Sequence, residues 1–231
     1  MAYVYQVHSP VKQRKFFDFF RNISVNLWLV LITTIAFIIF SFIPSNSELI
    51  NYVAIKPLNI TQGKYLWTFI TSIFMHGGFF HIFANMISLL FIGSLVEKLI
   101  GRKRYFWFYI FSGLFAGAFF VAVAYLLFLL GYPQDFNTYA VGASGAIFGL
   151  VGFLMLITPS LPVYVMFIPI PIKMKYAAPG LLLVLWLISI AGDVPIGNTA
   201  HLGGLIAGLI YGVYIRNKYK RKTKAISKYF S

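Results

Sequence analysis

Six apolar runs, separated by charged or proline-bearing stretches, dominate the 231-residue chain. The first runs from about Val25 to Ile43, close to the roughly 20 residues that a bilayer core demands, and Pro44 closes it. The second covers about Phe79 to Leu95, the third Tyr105 to Leu130, and the fourth opens at or just before Ser144 and stops near Pro159. The fifth is about Ala177 to Ala191 and the sixth about Ala200 to Tyr214. Each predicts a membrane-spanning helix, with the third long enough to tilt and the fourth short. Tyr65 to Met75 is apolar too, but at 11 residues it is too short to cross. It predicts a re-entrant or interfacial loop inside a long 45–78 connection. Pro169 and Pro171 forbid a regular helix in the 160–175 connection, which reads as extended.

Polar positions inside the runs are few and placed with a period. His81, Asn85 and Ser88 stand at i, i+4 and i+7, one face of the second helix. Ser144 heads the fourth run in Val141-Gly142-Ala143-Ser144-Gly145-Ala146-Ile147-Phe148-Gly149. His201 lies in the first turn of the sixth, and Gly204, Gly208 and Gly212 follow it at +3, +7 and +11. Gly145 and Gly149 form a GxxxG in the fourth, so both helices carry faces that permit close approach.

Composition agrees with membrane burial. The chain is 60% hydrophobic with mean hydropathy +0.82, well above the apolar content of a soluble domain at about 45–50%. The net charge of +14 would suit a nucleic-acid binder if it were clustered on a folded face. Instead, all Lys and Arg except Lys56 and Lys64 fall on one side of the membrane under the six-span reading. This positive-inside bias predicts cytoplasmic termini and excludes nucleic acid as the partner of choice. The expected organisation is a basic cytoplasmic segment over 1–23, a six-helix membrane domain over 24–218 and a basic cytoplasmic tail over 219–231. Phe16, Phe17, Phe19 and Phe20 beside Lys15 and Arg21 predict an interfacial stretch. The first 23 residues have no long apolar core, so the first helix is expected to act as its own targeting signal. The C-terminal basic run reads first as a topological signal, with contact to anionic lipids at the cytoplasmic face as a secondary role.

Chemistry then concentrates at one end. Under this topology the second, fourth and sixth helices all start at the outer face, and His81, Asn85, Ser144 and His201 lie in or near their first turns. With Ser144 and His201 on glycine faces, the imidazole can take the hydroxyl proton that makes serine a nucleophile. Asn85, His81 and the Ser144 N–H are the candidate donors to an oxyanion. Other chemistries fail on inspection. The chain has no cysteine, so thiol nucleophiles, thiolate metal sites and disulfides are excluded. His76 and His81 are not spaced as HExxH, and Ala146 stands where a GxSxG elbow needs its last glycine. A small-solute transporter would place broken polar helices near mid-membrane. His76 precedes its helix and reads as a loop or structural residue.

Three motifs resemble those of the rhomboid intramembrane serine proteases: His76-Gly-Gly-Phe-Phe-His81 with Asn85, Gly142-Ala-Ser144-Gly145, and Ala200-His201-Leu-Gly-Gly204. They occur in that family's order, on its second, fourth and sixth helices, and the resemblance covers roughly residues 20–218. Glu97 with Gly101 and Arg104 is similar to the family's signature after the second helix. The resemblance implies an all-α, six-transmembrane-helix bundle with a long outer loop between helices 1 and 2. It implies a catalytic Ser144–His201 dyad without an acid, and oxyanion or substrate binding by His81, Asn85 and Gly142. Phe148, Gly145, Gly204 and Gly208 support the dyad, and no metal or cofactor is expected. The implied substrates are transmembrane segments of other proteins, cut near the outer face of the cell membrane. Two positions depart from the family pattern: Thr68 follows Trp67 where many members carry arginine, and Phe148 replaces a frequent tyrosine. The alternative is a catalytically silent relative that binds or chaperones membrane helices. Such a protein is expected to lose the serine or the histidine, and this chain keeps both.

Overall fold

A computed structural model describes residues 23–42, 48–165, 169–192 and 197–230. Each of the six apolar runs is a helix: α1 (Val25–Phe40), α4 (Phe79–Ile100), α5 (Arg102–Leu129), α6 (Ser144–Ile157), α7 (Met174–Gly192) and α8 (Asn198–Lys218). Two short helices, α2 (Pro57–Thr61) and α3 (Thr68–Phe74), fold from the long connection after α1, and α9 (Lys220–Tyr229) follows α8. α4, α5 and α7 are long and apolar enough to cross a membrane, while α1 and α6 are shorter apolar helices. Large apolar side chains such as Phe80, Phe91 and Ile190 stand fully out on the bundle surface. In water that surface would drive aggregation; in lipid it is the solvated face.

α6 sits at the centre and is buried around nearly its whole circumference, as an all-apolar helix must be. Glycine lets its neighbours reach the backbone. A side chain at Gly204 would meet the Gly145 carbonyl, and one at Gly208 the Gly149 carbonyl. On the other flank Gly145 faces Ala116 and Gly149 faces Ser112, both of α5. The α6–α8 seam is accordingly the most extensive helix pair in the fold. Gly212 departs from this pattern by facing the Leu156 side chain.

The charged ends differ from the sequence reading. Glu97 and Lys98 fall between the second and third apolar runs in sequence but lie inside α4, which runs on to Ile100, and the break between the helices shrinks to Gly101 with φ +83°. The reason is a partner distant in sequence. Glu97 is buried and accepts from the N–H of Val25 (2.9 Å) and of Asn26 (2.8 Å), the orphan donors that open α1. Asn26 extends the knot by donating to the Leu89 carbonyl (2.8 Å) and Ser94 Oγ (3.0 Å), and it accepts from the Tyr105 hydroxyl (2.6 Å). Gly93 leaves room for that amide, within a π-helical turn over Leu89–Gly93. A Glu97→Ala chain is expected to lose about 3 kcal/mol or more, because two charge-assisted bonds vanish and buried N–H groups stay unpaired. Thermal unfolding in detergent measures it.

Other boundaries move less. α1 stops at Phe40, three residues short of the expected Ile43, and α8 extends to Lys218. The 160–175 connection is non-helical where described up to Lys173, with Pro162–Val163 paired antiparallel to Ile172–Lys173, and α7 takes its last two residues. The 219–231 stretch, expected as a tail, is helical over Lys220–Tyr229 because Ile226 and Phe230 find an apolar surface to cover. The interfacial reading of Phe16 to Phe20 and the helix stop at Pro44 lie outside the described residues.

The long connection between α1 and α4 is braced where it nears α6. Trp67 donates from Nε1 to the Tyr52 carbonyl (2.9 Å) and Thr71 from Oγ1 to the Val53 carbonyl (3.1 Å). Ile55 and Ala140 exchange both backbone hydrogen bonds, tying the connection to the loop that precedes Ser144. Thr68 is fully buried at the start of α3, and its hydroxyl finds no partner among the described residues.

Candidate active site

Ser144 is the first residue of α6, on the turn after Gly142, which has φ +126°. Such a backbone strongly favours glycine. Space demands it as well, since a Cβ there would lie 2.8 Å from both Cε1 and Nε2 of His81. The loop is fixed from two directions. Gly142 N–H donates to the Ser72 carbonyl of α3 (2.8 Å), and Ala143 N–H donates to His76 Nε2 (3.4 Å).

His201, one turn into α8, is buried and brings Nε2 to 2.8 Å from Ser144 Oγ. Phe148, one turn further along α6, stacks on the imidazole with ring centres 4.6 Å apart and planes 16° from parallel. The ring is thereby held in the plane that aims Nε2 at the hydroxyl. No carboxylate touches Nδ1, which has no hydrogen-bond partner among the described residues. The pair is thus a serine and an imidazole at the N-terminal end of a helix, where free N–H groups and the helix dipole favour developing negative charge.

His81 lies on the near side of α4 against Gly142, with His76 edge-on to it at 4.9 Å. Asn85 is buried one turn on, and its Nδ2 has no acceptor among the described residues. Ser88, on the same stripe, is a further turn away along the helix. The fold therefore gathers Ser144, His201, Phe148, Gly142 and His81 directly, with Asn85 lining the same flank. Two further residues brace the site, and of these only Ser72 was not singled out from sequence. His76 read as structural, and it does hold the serine loop, yet its ring also packs on His81. Ser72 acts through its carbonyl, which no side-chain motif signals.

Comparison with known proteins gives this constellation its context. A model of the rhomboid domain matches residues 63–218, most of the chain and all of these side chains. The chain belongs to the rhomboid family. It is 34% identical over 175 residues to RHOMBOID-like protein 1 of Arabidopsis thaliana, covering 73% of this chain and 39% of that protein. It is 28% identical over 201 residues to Rhomboid-like protease 1 of Toxoplasma gondii, covering 87% of this chain and 64% of the relative. An Arabidopsis thaliana relative named Inactive RHOMBOID-like protein 8 is 30% identical over 112 residues, 48% of this chain and 29% of its own. The alignments thus span between 29% and 64% of these relatives' lengths. The rhomboid fold seen here is a helical membrane bundle, in keeping with the family.

Proposed function

We propose that this rhomboid is an intramembrane serine endopeptidase in which Ser144 is the nucleophile and His201 its general base. The observation that carries the reading is the 2.8 Å contact between Ser144 Oγ and His201 Nε2 across the glycine seam. The imidazole takes the hydroxyl proton as Oγ attacks a scissile carbonyl, and returns it to the leaving amine. Water then releases the acyl group by the same route. The oxyanion is met by the Ser144 N–H, His81 and Asn85, whose Nδ2 is a buried donor without an acceptor. Gly142 keeps the space beside His81 open for the substrate backbone.

Six crossings, with α1, α6 and α8 completing the set, place both termini and nearly all Lys and Arg on the cytoplasmic side. The dyad then lies toward the outer face, and the cell membrane is the proposed location. Substrates are transmembrane segments with small or helix-breaking residues near the cut, because a regular helix hides its carbonyls behind its own hydrogen bonds. The 1–23 and 219–231 segments are cytoplasmic and contact anionic lipid in this reading.

The test is purified protein in detergent with a model transmembrane substrate whose products are mapped by mass. Cleavage is expected near the outer end of the segment and absent in Ser144→Ala; cutting that persists in that variant overturns the proposal. Asn85→Ala and His81→Ala are each expected to lower kcat by about 10²–10³ with KM little changed. Kinetics with unchanged kcat remove them from the oxyanion site.

A further inference from the structure

Away from the dyad, residues of α5 and α8 line a groove of about 810 Å³ on the bundle surface. Lys103 and Arg104 stand at its mouth, Trp107 and Phe115 line one wall, and Ile210 and Tyr214 line the other. The walls are almost wholly apolar. From Lys103 to Phe115 the groove follows α5 for 12 residues, about 18 Å at the helical rise. One leaflet of hydrocarbon, half of a core about 30 Å thick, has nearly that depth.

Among the described residues the mouth is cationic without matching acids. Arg104 is held by tyrosine rather than carboxylate, donating to the Tyr219 hydroxyl at 3.1 Å with its guanidinium 5.5 Å from that ring. Lys218 likewise donates to the Tyr214 hydroxyl at 2.7 Å. Arg221, Lys222 and Lys224 of α9 lie exposed beyond them. Among the described residues, Glu97 is the carboxylate at this end, and the α1 amides together with Arg102 engage it. Tyrosines thus fix Arg104 and Lys218 near the head of an apolar channel, and Lys103 lines that head beside Arg104.

We infer that the α5–α8 groove is a binding site for an anionic glycerophospholipid, its phosphate between Lys103 and Arg104 and an acyl chain along Trp107, Phe115 and Ile210. A neutral lipid satisfies the walls but not the mouth, and a soluble phosphate satisfies the mouth but not the walls. The inference rests on α5 and α8 crossing the bilayer, and not on the chemistry of Ser144.

Trp107 supplies the probe. The full chain is reconstituted in phosphatidylcholine nanodiscs, and tryptophan quenching is titrated with brominated phosphatidylglycerol or brominated phosphatidylcholine. The part of the quenching lost in a Trp107→Phe chain reports the groove. Phosphatidylglycerol is expected to be preferred, with the preference falling about five-fold in Lys103→Gln and again in Arg104→Gln. Ala207→Trp, which fills the groove and keeps the cations, is expected to abolish Trp107 quenching by both lipids. Excess inorganic phosphate is expected to displace nothing. Equal quenching by the two lipids, a preference that survives Ala207→Trp, or displacement by phosphate overturns the inference. So does a Trp107 that neither lipid reaches because a second protein chain covers it. Circular dichroism and fluorophosphonate labelling of Ser144 on the same preparations separate a misfolded variant, or a failure of the protease reading, from a failure at the groove.

Discussion

A Gly204→Val chain is expected to lose at least about 10²-fold in turnover and to unfold at a lower temperature. The valine side chain has nowhere to go, since the Gly145 carbonyl already occupies the space where its Cβ must sit. Backbone cannot swing aside as a long side chain can, so α8 has to back away from α6. His201 rides on the same turn of α8, and its 2.8 Å contact with Ser144 opens with the seam. A displacement of about 1 Å at a reacting pair costs about 10²-fold. Overpacking adds about 1–3 kcal/mol or more of destabilisation. The matched control is Gly180→Ala in α7, where an added Cβ meets nothing within 4 Å. That chain is expected to keep its activity and its thermal midpoint. Cleavage of a model transmembrane substrate and thermal unfolding in detergent read both outcomes.

A larger loss is expected from His201→Ala. If His201 is the base, as proposed, its removal leaves Ser144 as an ordinary alcohol, and turnover should fall by on the order of 10⁴-fold, the upper end of what a positioned base contributes. The seam itself survives, because Gly204 and Gly208 still meet the backbone of α6. The variant therefore stays folded, with a thermal midpoint close to that of the parent apart from the lost stacking on Phe148. Substrate binding, measured with an uncleaved transmembrane peptide, is expected to remain. Loss of binding together with turnover would instead make His201 a structural residue.

Much of this could be read before any coordinates. Long apolar runs have few alternatives to helices, and a histidine followed by glycines at +3, +7 and +11 announces one helical face that a neighbour can approach. That periodicity placed His201 toward Ser144. What escaped the sequence depends on partners distant along the chain. Glu97 reads as part of the charged stretch after the second run, because its acceptor role is set by Val25 and Asn26, more than 70 residues earlier. Satisfied there, it can stay inside α4, and the break between the helices contracts to Gly101. Ser72 and Ile55 brace the serine loop through backbone atoms, which carry no residue signature. α9 was hidden by its own charge: its lysines read as a tail, while Ile226 and Phe230 supply a narrow apolar edge that counts only once a surface exists to receive it.

At the centre of this fold one hydroxyl and one imidazole stand 2.8 Å apart. The direct measurement is fluorophosphonate labelling of the purified chain, with the adduct located by peptide mass. A single adduct on Ser144 is expected, formed at least about 10²-fold more slowly in His201→Ala, in which the base no longer activates the hydroxyl. An adduct on another residue, or labelling of Ser144 at the same rate without His201, would contradict the proton transfer on which the proposed activity depends.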